Sequence, residues 1–131
     1  MIMVDTSVWV DYLNGHATPQ TDYLDRALGH ELVATGDLIL TEVLQGLRSE
    51  AEFKRVLNLF ATFPRFDMAG YDNAVQSARN FRALRARGYT VRRTIDMLIG
   101  TCCIAHDLQL LHDDRDFDAM ERGLGLRVIP L

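Results

Sequence analysis

The first ten residues, Met1-Ile2-Met3-Val4-Asp5-Thr6-Ser7-Val8-Trp9-Val10, carry the reading of the fold. Residues 2–4 are a short apolar run suited to a strand buried on both faces, as in a parallel sheet. Asp5-Thr6-Ser7 then offers the side chains that cap a helix, and the spacing predicts a helix over 7–14 closed by Asn14-Gly15. A buried strand running straight into a helix is the start of an α/β unit. Asp5 is the only charge in this stretch. Thr6 and Ser7 suffice for capping and can also hydrogen-bond within a pocket, which leaves Asp5 spare.

Outward from this unit the pattern repeats. Thr18-Pro19 predicts a capped helix over 19–28, and 32–35 a short strand. Gly36-Asp37 starts an apolar helix over 38–47, stopped near Gly46. Residues 50–62 are amphipathic, with Phe53, Val56, Leu57 and Phe60 on one face, and Pro64 ends that helix. A strand over 65–68 and a helix over 71–87 follow, the latter with Ala74, Val75, Ala78 and Phe81 on one face. Thr94 caps a helix over 95–106. A strand over 109–111, a helix over 116–122 and a strand over 126–129 complete the chain. Helices alternating with short strands predict one α/β domain spanning 1–131, with a parallel sheet of four to five strands flanked by helices. In such sheets ligands sit at the carboxyl ends of the strands. Asp5 follows the first strand, Asp113 and Asp114 follow the 109–111 strand, and helices starting near 37 and 95 can bring Glu42 and Asp96 to the same edge.

Two more carboxylates are out of place. Glu42 lies in Leu38-Ile-Leu-Thr-Glu42-Val-Leu-Gln-Gly-Leu47, and its helical neighbours Leu38, Ile39, Gln45 and Gly46 offer no countercharge. Asp96 precedes the uncharged run 97–105; a first-turn acid favoured by the helix dipole is its ordinary explanation, but a helix this apolar all round is expected to bury its start as well. A buried, unpaired carboxylate costs several kcal/mol and is usually paired or metal-bound. Lys54, the only lysine, cannot pair them all. A divalent cation neutralises several carboxylates at once, and oxygen donors suit Mg²⁺ or Mn²⁺. A metal-dependent enzyme is therefore expected.

Composition sets the outer limits. With 131 residues, 48% hydrophobic and 24% charged, the chain is sized for a single soluble domain. No apolar run reaches the ~20 residues of a membrane span, and the opening lacks a basic leader, so no membrane association and a cytoplasmic location are expected. The adjacent Cys102 and Cys103 read as helix-core residues, and His16, His30, His106 and His112 lack zinc-site spacing. A net charge of −4 argues against nucleic-acid binding by bulk charge. The charge is nonetheless polarised: Arg79, Arg82, Arg85, Arg87, Arg92 and Arg93 cluster, while Asp113, Asp114, Asp116 and Asp118 crowd a later loop. One or two of those four acids are expected to be ligands, with Asp116 able to cap a helix and Asp118 a surface group. Arg82 and Arg85 fall on the apolar face of the 71–87 helix near its C-terminal end. Either they snorkel there, favoured by the dipole, or they overhang the acidic pocket and offer guanidinium groups to phosphates.

With these residues in hand, the chain resembles the PIN-domain ribonucleases of the VapC toxin type. The likeness rests on the opening to Val10, on Leu40-Thr41-Glu42-Val43-Leu44-Gln45-Gly46, on Arg92-Arg93-Thr94-Ile95-Asp96-Met97-Leu98-Ile99, and on Leu110-Leu111-His112-Asp113-Asp114-Arg115-Asp116-Phe117. These occur in the family's order and spacing along essentially the whole length. The resemblance implies catalytic acids at Asp5, Glu42, Asp96 and Asp114, with Asp5, Asp96 and Asp114 on the metal. It implies supporting roles for Thr6, Ser7 and a fifth acid, Asp116. Arg82, Arg85, Arg92 and Arg93 are then the candidates for RNA contact. It also implies Mg²⁺ or Mn²⁺, an RNA substrate, a homodimer and a cognate antitoxin. His112 stands where family members usually carry a small or hydroxyl residue, and it is not counted as a ligand.

Two other classes fit less well. A haloacid-dehalogenase-type, Mg-dependent phosphohydrolase wants an acid two residues after its nucleophilic Asp, where this chain has Ser7. A receiver-type signalling module wants a lysine late in the chain, and the only one is Lys54.

Overall fold

The apolar run Ile2–Val4 (β1) lies at the centre of a parallel sheet, flanked by Val33–Gly36 (β2) and Gln109–Leu111 (β4), with Arg65–Phe66 (β3) outside β2. The structure, a computed structural model, describes all residues 1–131. Ile2 pairs with both Val33 and Gln109, and Val4 with Leu111. Both neighbours therefore cover the backbone of β1, and its side chains are buried on both faces. Helices fill the connections: Thr6–Leu13 (α1) and Pro19–Ala27 (α2), Asp37–Gln45 (α3) and Glu50–Phe60 (α4), Tyr71–Ala86 (α5) and Thr94–Ala105 (α6), with Asp116–Leu124 (α7) after β4.

The order β3-β2-β1-β4 positions the site. The chain first winds outward from β1 to β3, then returns to add β4 on the other side of β1. With right-handed crossovers, this reversal puts α1–α4 on one face and α5–α6 on the other. The helices pack in keeping with that: α1, α2, α3 and α4 contact one another in series, and α5, α6 and α7 form a second group. The reversal point, between β1 and β4, is where an open α/β sheet leaves a crevice. Asp5 and the loop 112–115 emerge there side by side, tied by the Asp5 N–H donating to the Leu111 carbonyl at 2.9 Å. One core cluster, including Trp9, Phe60, Phe117 and Met97, holds the layers together. No helix is long and apolar enough to cross a membrane.

The elements match the sequence reading with four instructive differences. β3 stops at Phe66 because the Met68 and Ala69 N–H groups donate to the Asp37 carboxylate, at 2.7 and 3.3 Å, rather than to a strand. The expected strand over 126–129 reduces to a single bridge between Leu110 and Val128; the Leu108 N–H that would extend it donates instead to the Cys103 carbonyl at the end of α6, at 2.9 Å. Thr94 is the first residue of α6 rather than its cap, which is Arg93. The largest difference is in α5: its buried residues are Ser77 and Leu84, not the Ala74/Val75/Ala78/Phe81 face. Asn73 and Asn80, on the Ser77 side, dock α5 on α6 by hydrogen bonds to the Leu98 carbonyl at 3.0 Å and the Thr101 hydroxyl at 3.1 Å. Polar residues thus share the inner face with Leu84, and the alanines look outward. In α4, likewise, Val56 and Phe60 are buried while Leu57 is exposed.

Candidate metal centre

The acids arrive from four elements. Asp5 ends β1 and is the N-cap of α1: its Oδ2 accepts from the Ser7 N–H at 3.0 Å and from Ser7 Oγ at 2.6 Å. This corrects the expectation that Thr6 and Ser7 would do the capping and leave Asp5 spare. Asp5 does both jobs with different oxygens, since Oδ1 is buried and has no partner. Burial pushes its carboxyl above the usual range, Glu42 adds to this, and the Ser7 hydrogen bonds oppose it. Thr6 Oγ1 donates to Glu42 Oε1 at 2.7 Å, which orients a half-buried acid in mid-α3. Ser7 Oγ also accepts the Asp113 N–H at 3.1 Å, pinning the β4–α7 loop to the start of α1.

The other three acids converge more tightly. One oxygen each of Asp96, Asp114 and Asp116 lies within 4.8 Å of the other two. Asp96, in the first turn of α6, is fully buried and Asp116, opening α7, nearly so. Burial raises Asp96 to about 6, with the neighbouring acids Asp116 and Asp5 adding to the effect and Arg93 opposing it. Burial also pushes Asp116 upward, but its hydrogen bonds from Arg92 and from Asp96 outweigh this and hold it below the usual range. Asp116 Oδ2 is buried and has no hydrogen-bond partner.

Arginines, not lysines, supply the countercharge. Arg93 grips Asp96 with both arms, Nη2 to Oδ1 at 2.9 Å and Nε to Oδ2 at 3.1 Å. Arg92 bridges the other pair, Nε to Asp116 Oδ1 at 2.9 Å and Nη2 to Asp114 Oδ1 at 3.0 Å. Asp96 and Asp116 are thus not left unpaired, as the sequence suggested; Asp5 is the buried acid with no cationic partner. Asp114 Oδ1 also accepts the Asp116 N–H at 3.0 Å, and the Asp114 N–H donates to His112 Nδ1 at 3.2 Å. His112 thereby fixes the loop that carries Asp114, a role that residue-type reasoning missed. Its only trace in the sequence was its place two residues before that acid, where a side-chain acceptor can hold the turn.

Arg82 and Arg85 stand apart. Both are exposed on α5 and neither forms an ion pair, and Arg85 lies over the Phe81 ring at 5.8 Å. Asp118 is exposed and Asp113 contributes its backbone. Cys102 and Cys103 are buried in α6, as expected.

The donor set fits a hard divalent cation: carboxylate oxygens only, three of them converging, with two buried oxygens unsatisfied. With every acid ionised, five carboxylates face two guanidiniums, an excess of three negative charges that a divalent ion reduces.

Comparison with known proteins identifies the family. The family model described as PIN domain matches residues 2–123. The chain is 30% identical over 129 residues to VapC ribonuclease Mb1587 of Mycobacterium bovis, covering 97% of this chain and 96% of that protein. Ribonuclease VapC11 of Mycobacterium tuberculosis matches with the same identity and coverage. Among solved structures, VapBC2 from Rickettsia felis, bound to a promoter DNA fragment, superposes with a TM-score of 0.73 at 18% identity, covering 98% of each chain. At that identity the likeness speaks for the fold.

Proposed function

We propose, because this chain belongs to the PIN-domain family, that residues 1–131 act as one nuclease domain, a metal-dependent endoribonuclease and the toxin of a toxin–antitoxin pair. The observation that carries this reading is the convergence of Asp96, Asp114 and Asp116 beside the buried, unpartnered Asp5 Oδ1 at the sheet's reversal point. Asp5, Asp96 and Asp114 would hold Mg²⁺ or Mn²⁺, with Asp116 beside them. Bound there, the ion would supply Lewis acidity, activating water and offsetting charge on an RNA phosphodiester. The residues of the chain do the rest. Ser7 and Thr6 fix Asp5 and Glu42, His112 and the Asp116 N–H fix Asp114, and one carboxylate of the cluster accepts the proton lost by the attacking water. Arg82, Arg85, Arg92 and Arg93 supply the positive groups that RNA needs on an acidic protein.

The partners follow the same reading: RNA in the cytoplasm, a cognate antitoxin, and a second copy of the chain. The outward face of α5 supports the last. Tyr71, Val75 and Ile95 are exposed, beside an apolar groove of about 400 Å³ lined by Ala74, Ala78, Phe81, Met97 and Leu98. Sedimentation should give a dimer that Val75→Arg dissociates.

The test of function is direct. RNA cleavage should stop in EDTA and return with millimolar Mg²⁺ or Mn²⁺, and the melting midpoint should rise with the ion by mass action. Unchanged cleavage in EDTA, with no shift in midpoint, would overturn the metal-dependent reading.

A further inference from the structure

Four of the six oxygens of the three converging acids are already taken by arginine. Arg93 takes both oxygens of Asp96, and Arg92 takes Oδ1 of Asp114 and of Asp116. A divalent cation of octahedral habit needs several of those lone pairs, and its charge repels both guanidiniums. The arginines are built to give way. Their side chains are about half exposed, at 49% and 52%, while Asp96 and Asp116 are buried and Asp114 is 17% exposed. They sit on the segment between α5 and α6, whose backbone is anchored by buried Val91 and by the Arg92 N–H on Asp116 Oδ1 at 3.3 Å. The guanidinium groups can therefore turn outward without moving the chain. Once turned, each presents a planar fork that suits a phosphate as well as it suits a carboxylate.

We propose that Arg92 and Arg93 are exchangeable counterions: they neutralise Asp96, Asp114 and Asp116 while the site is empty of metal, and metal binding displaces them toward the phosphates of the bound strand. This rests on the metal-dependent reading above and deepens it. The exchange makes metal and phosphate binding mutually reinforcing. Without metal, the acids repel a polyanion and the arginines are engaged; with metal, the acids are neutralised and the arginines are free. By reciprocity the strand must tighten metal binding by the same factor. The apo protein is thus held together at the site without being competent to bind RNA there.

The arginine Nε–H signals of the wild-type protein, assigned with Arg92→Lys and Arg93→Lys, report the exchange by ¹⁵N NMR. On titrating Mg²⁺ alone, both signals should shift and exchange faster with water. Adding a nuclease-resistant phosphorothioate oligonucleotide should slow them again. In parallel, Mg²⁺ should tighten binding of that oligonucleotide by about five-fold or more in the wild type. The Arg92→Gln/Arg93→Gln protein should gain less, with its slope of log affinity against log salt in Mg²⁺ flatter by ~0.7 for each arginine lost. If Mg²⁺ moves the backbone amides of the site and RNA is cut, yet both Nε–H signals stay as they were and the slopes coincide, the exchange is wrong and the nuclease reading stands. If Mg²⁺ moves nothing and cleavage persists in EDTA, the metal reading falls and takes the exchange with it.

Discussion

The two halves of the acidic site are stabilised by different chemistry. On the N-terminal side, Asp5 and Glu42 receive neutral donors, the hydroxyls of Ser7 and Thr6. On the C-terminal side, Asp96, Asp114 and Asp116 receive guanidinium groups. A hydroxyl orients a carboxylate but leaves its charge; a guanidinium orients and cancels it. The first half is therefore a rigid electrostatic demand set into the end of β1. The second sets three acids against two guanidiniums, so that most of its charge is offset by the arginines that grip it. Each variant below asks whether the two halves act as one cation site or as two.

The largest effects belong to the acids themselves. Asp5→Asn, Asp96→Asn, Asp114→Asn and Asp116→Asn should each lower RNA cleavage by more than ~100-fold, since losing a group that only orients a metal ligand already costs 10–100-fold. Asp116 joins this group because it is buried and converges with Asp96 and Asp114, although its position in an acid-rich loop suggested a lesser part. Glu42→Gln should cost less, in the 10–100-fold range, and exposed Asp118→Asn should change the rate by less than ~2-fold, a surface substitution away from the site. Single-turnover cleavage at saturating Mn²⁺ measures all six. If Asp5→Asn stays near wild type while the other three collapse, the halves are separate and the metal belongs to the arginine side alone.

Ser7→Ala probes the joint between the halves. It removes one donor to Asp5 and the acceptor for the Asp113 N–H. Leaving such groups unsatisfied should cost about 1–3 kcal/mol in urea denaturation, and Ser7→Thr should restore most of it. A loss no greater than that of a surface alanine would mean that the loop and α1 are not coupled through this hydroxyl.

The pH dependence in EDTA separates the halves by sign. Asp96 titrates at about 6 in the fold against an ordinary 3.8. A raised acid means that the folded state binds the proton more readily, so stability should rise as pH falls through 6. Between pH 7.5 and 5.5 the gain from this group is of the order of 1 kcal/mol. Asp5, also raised, adds in the same direction. Asp116 is lowered, so its contribution is lost only as pH falls below 3.8, outside this window. Asp96→Asn should melt no lower than wild type at pH 7.5 and should remove most of the rise. An undiminished rise would assign it to Asp5.

The N-terminal half was the more legible in the sequence. Asp5 and Glu42 stood out because a charge among apolar residues within ten positions is a local anomaly, and the strand-to-helix junction at residues 4–6 is a local pattern. Asp96 stood out for the same reason, but its neutralisation by Arg93 could be read only as one of several uses for that arginine. The bridge from Arg92 to Asp114 and Asp116 spans more than twenty residues and depends on how the 87–93 segment folds back, which no local pattern encodes. The α5 face was misread for a related reason. Helical periodicity counts apolar residues, whereas this helix docks by Asn73 and Asn80 hydrogen-bonding into α6. The fifth strand failed because an apolar run beside β4 is necessary for a ladder but not sufficient: the Leu108 N–H that would lengthen it is taken by the Cys103 carbonyl.

The smallest effect is expected from the arginines outside both halves. Arg82 and Arg85 sit one helical turn apart at the edge of the outward α5 face, Arg82 on the groove wall beside Thr94 and Arg85 over Phe81. Thr94 opens the helix that carries Asp96, so this face borders the acidic crevice without entering it. A strand leaving the crevice along α5 would meet both guanidinium groups, each able to neutralise one phosphate. The Arg82→Ala/Arg85→Ala protein should therefore bind single-stranded RNA in Ca²⁺ with a salt slope flatter by up to ~1.4, that is ~0.7 for each contact. The weakening should be similar across RNA sequences, because phosphate contacts carry no base information. Stability should change by less than ~0.5 kcal/mol, as for other exposed substitutions. An unchanged slope would mean that Arg85 only covers Phe81 and Arg82 only lines the groove. The RNA path would then run past Arg92 and Arg93 and away from α5, leaving the outward face of that helix wholly to the second copy of the chain.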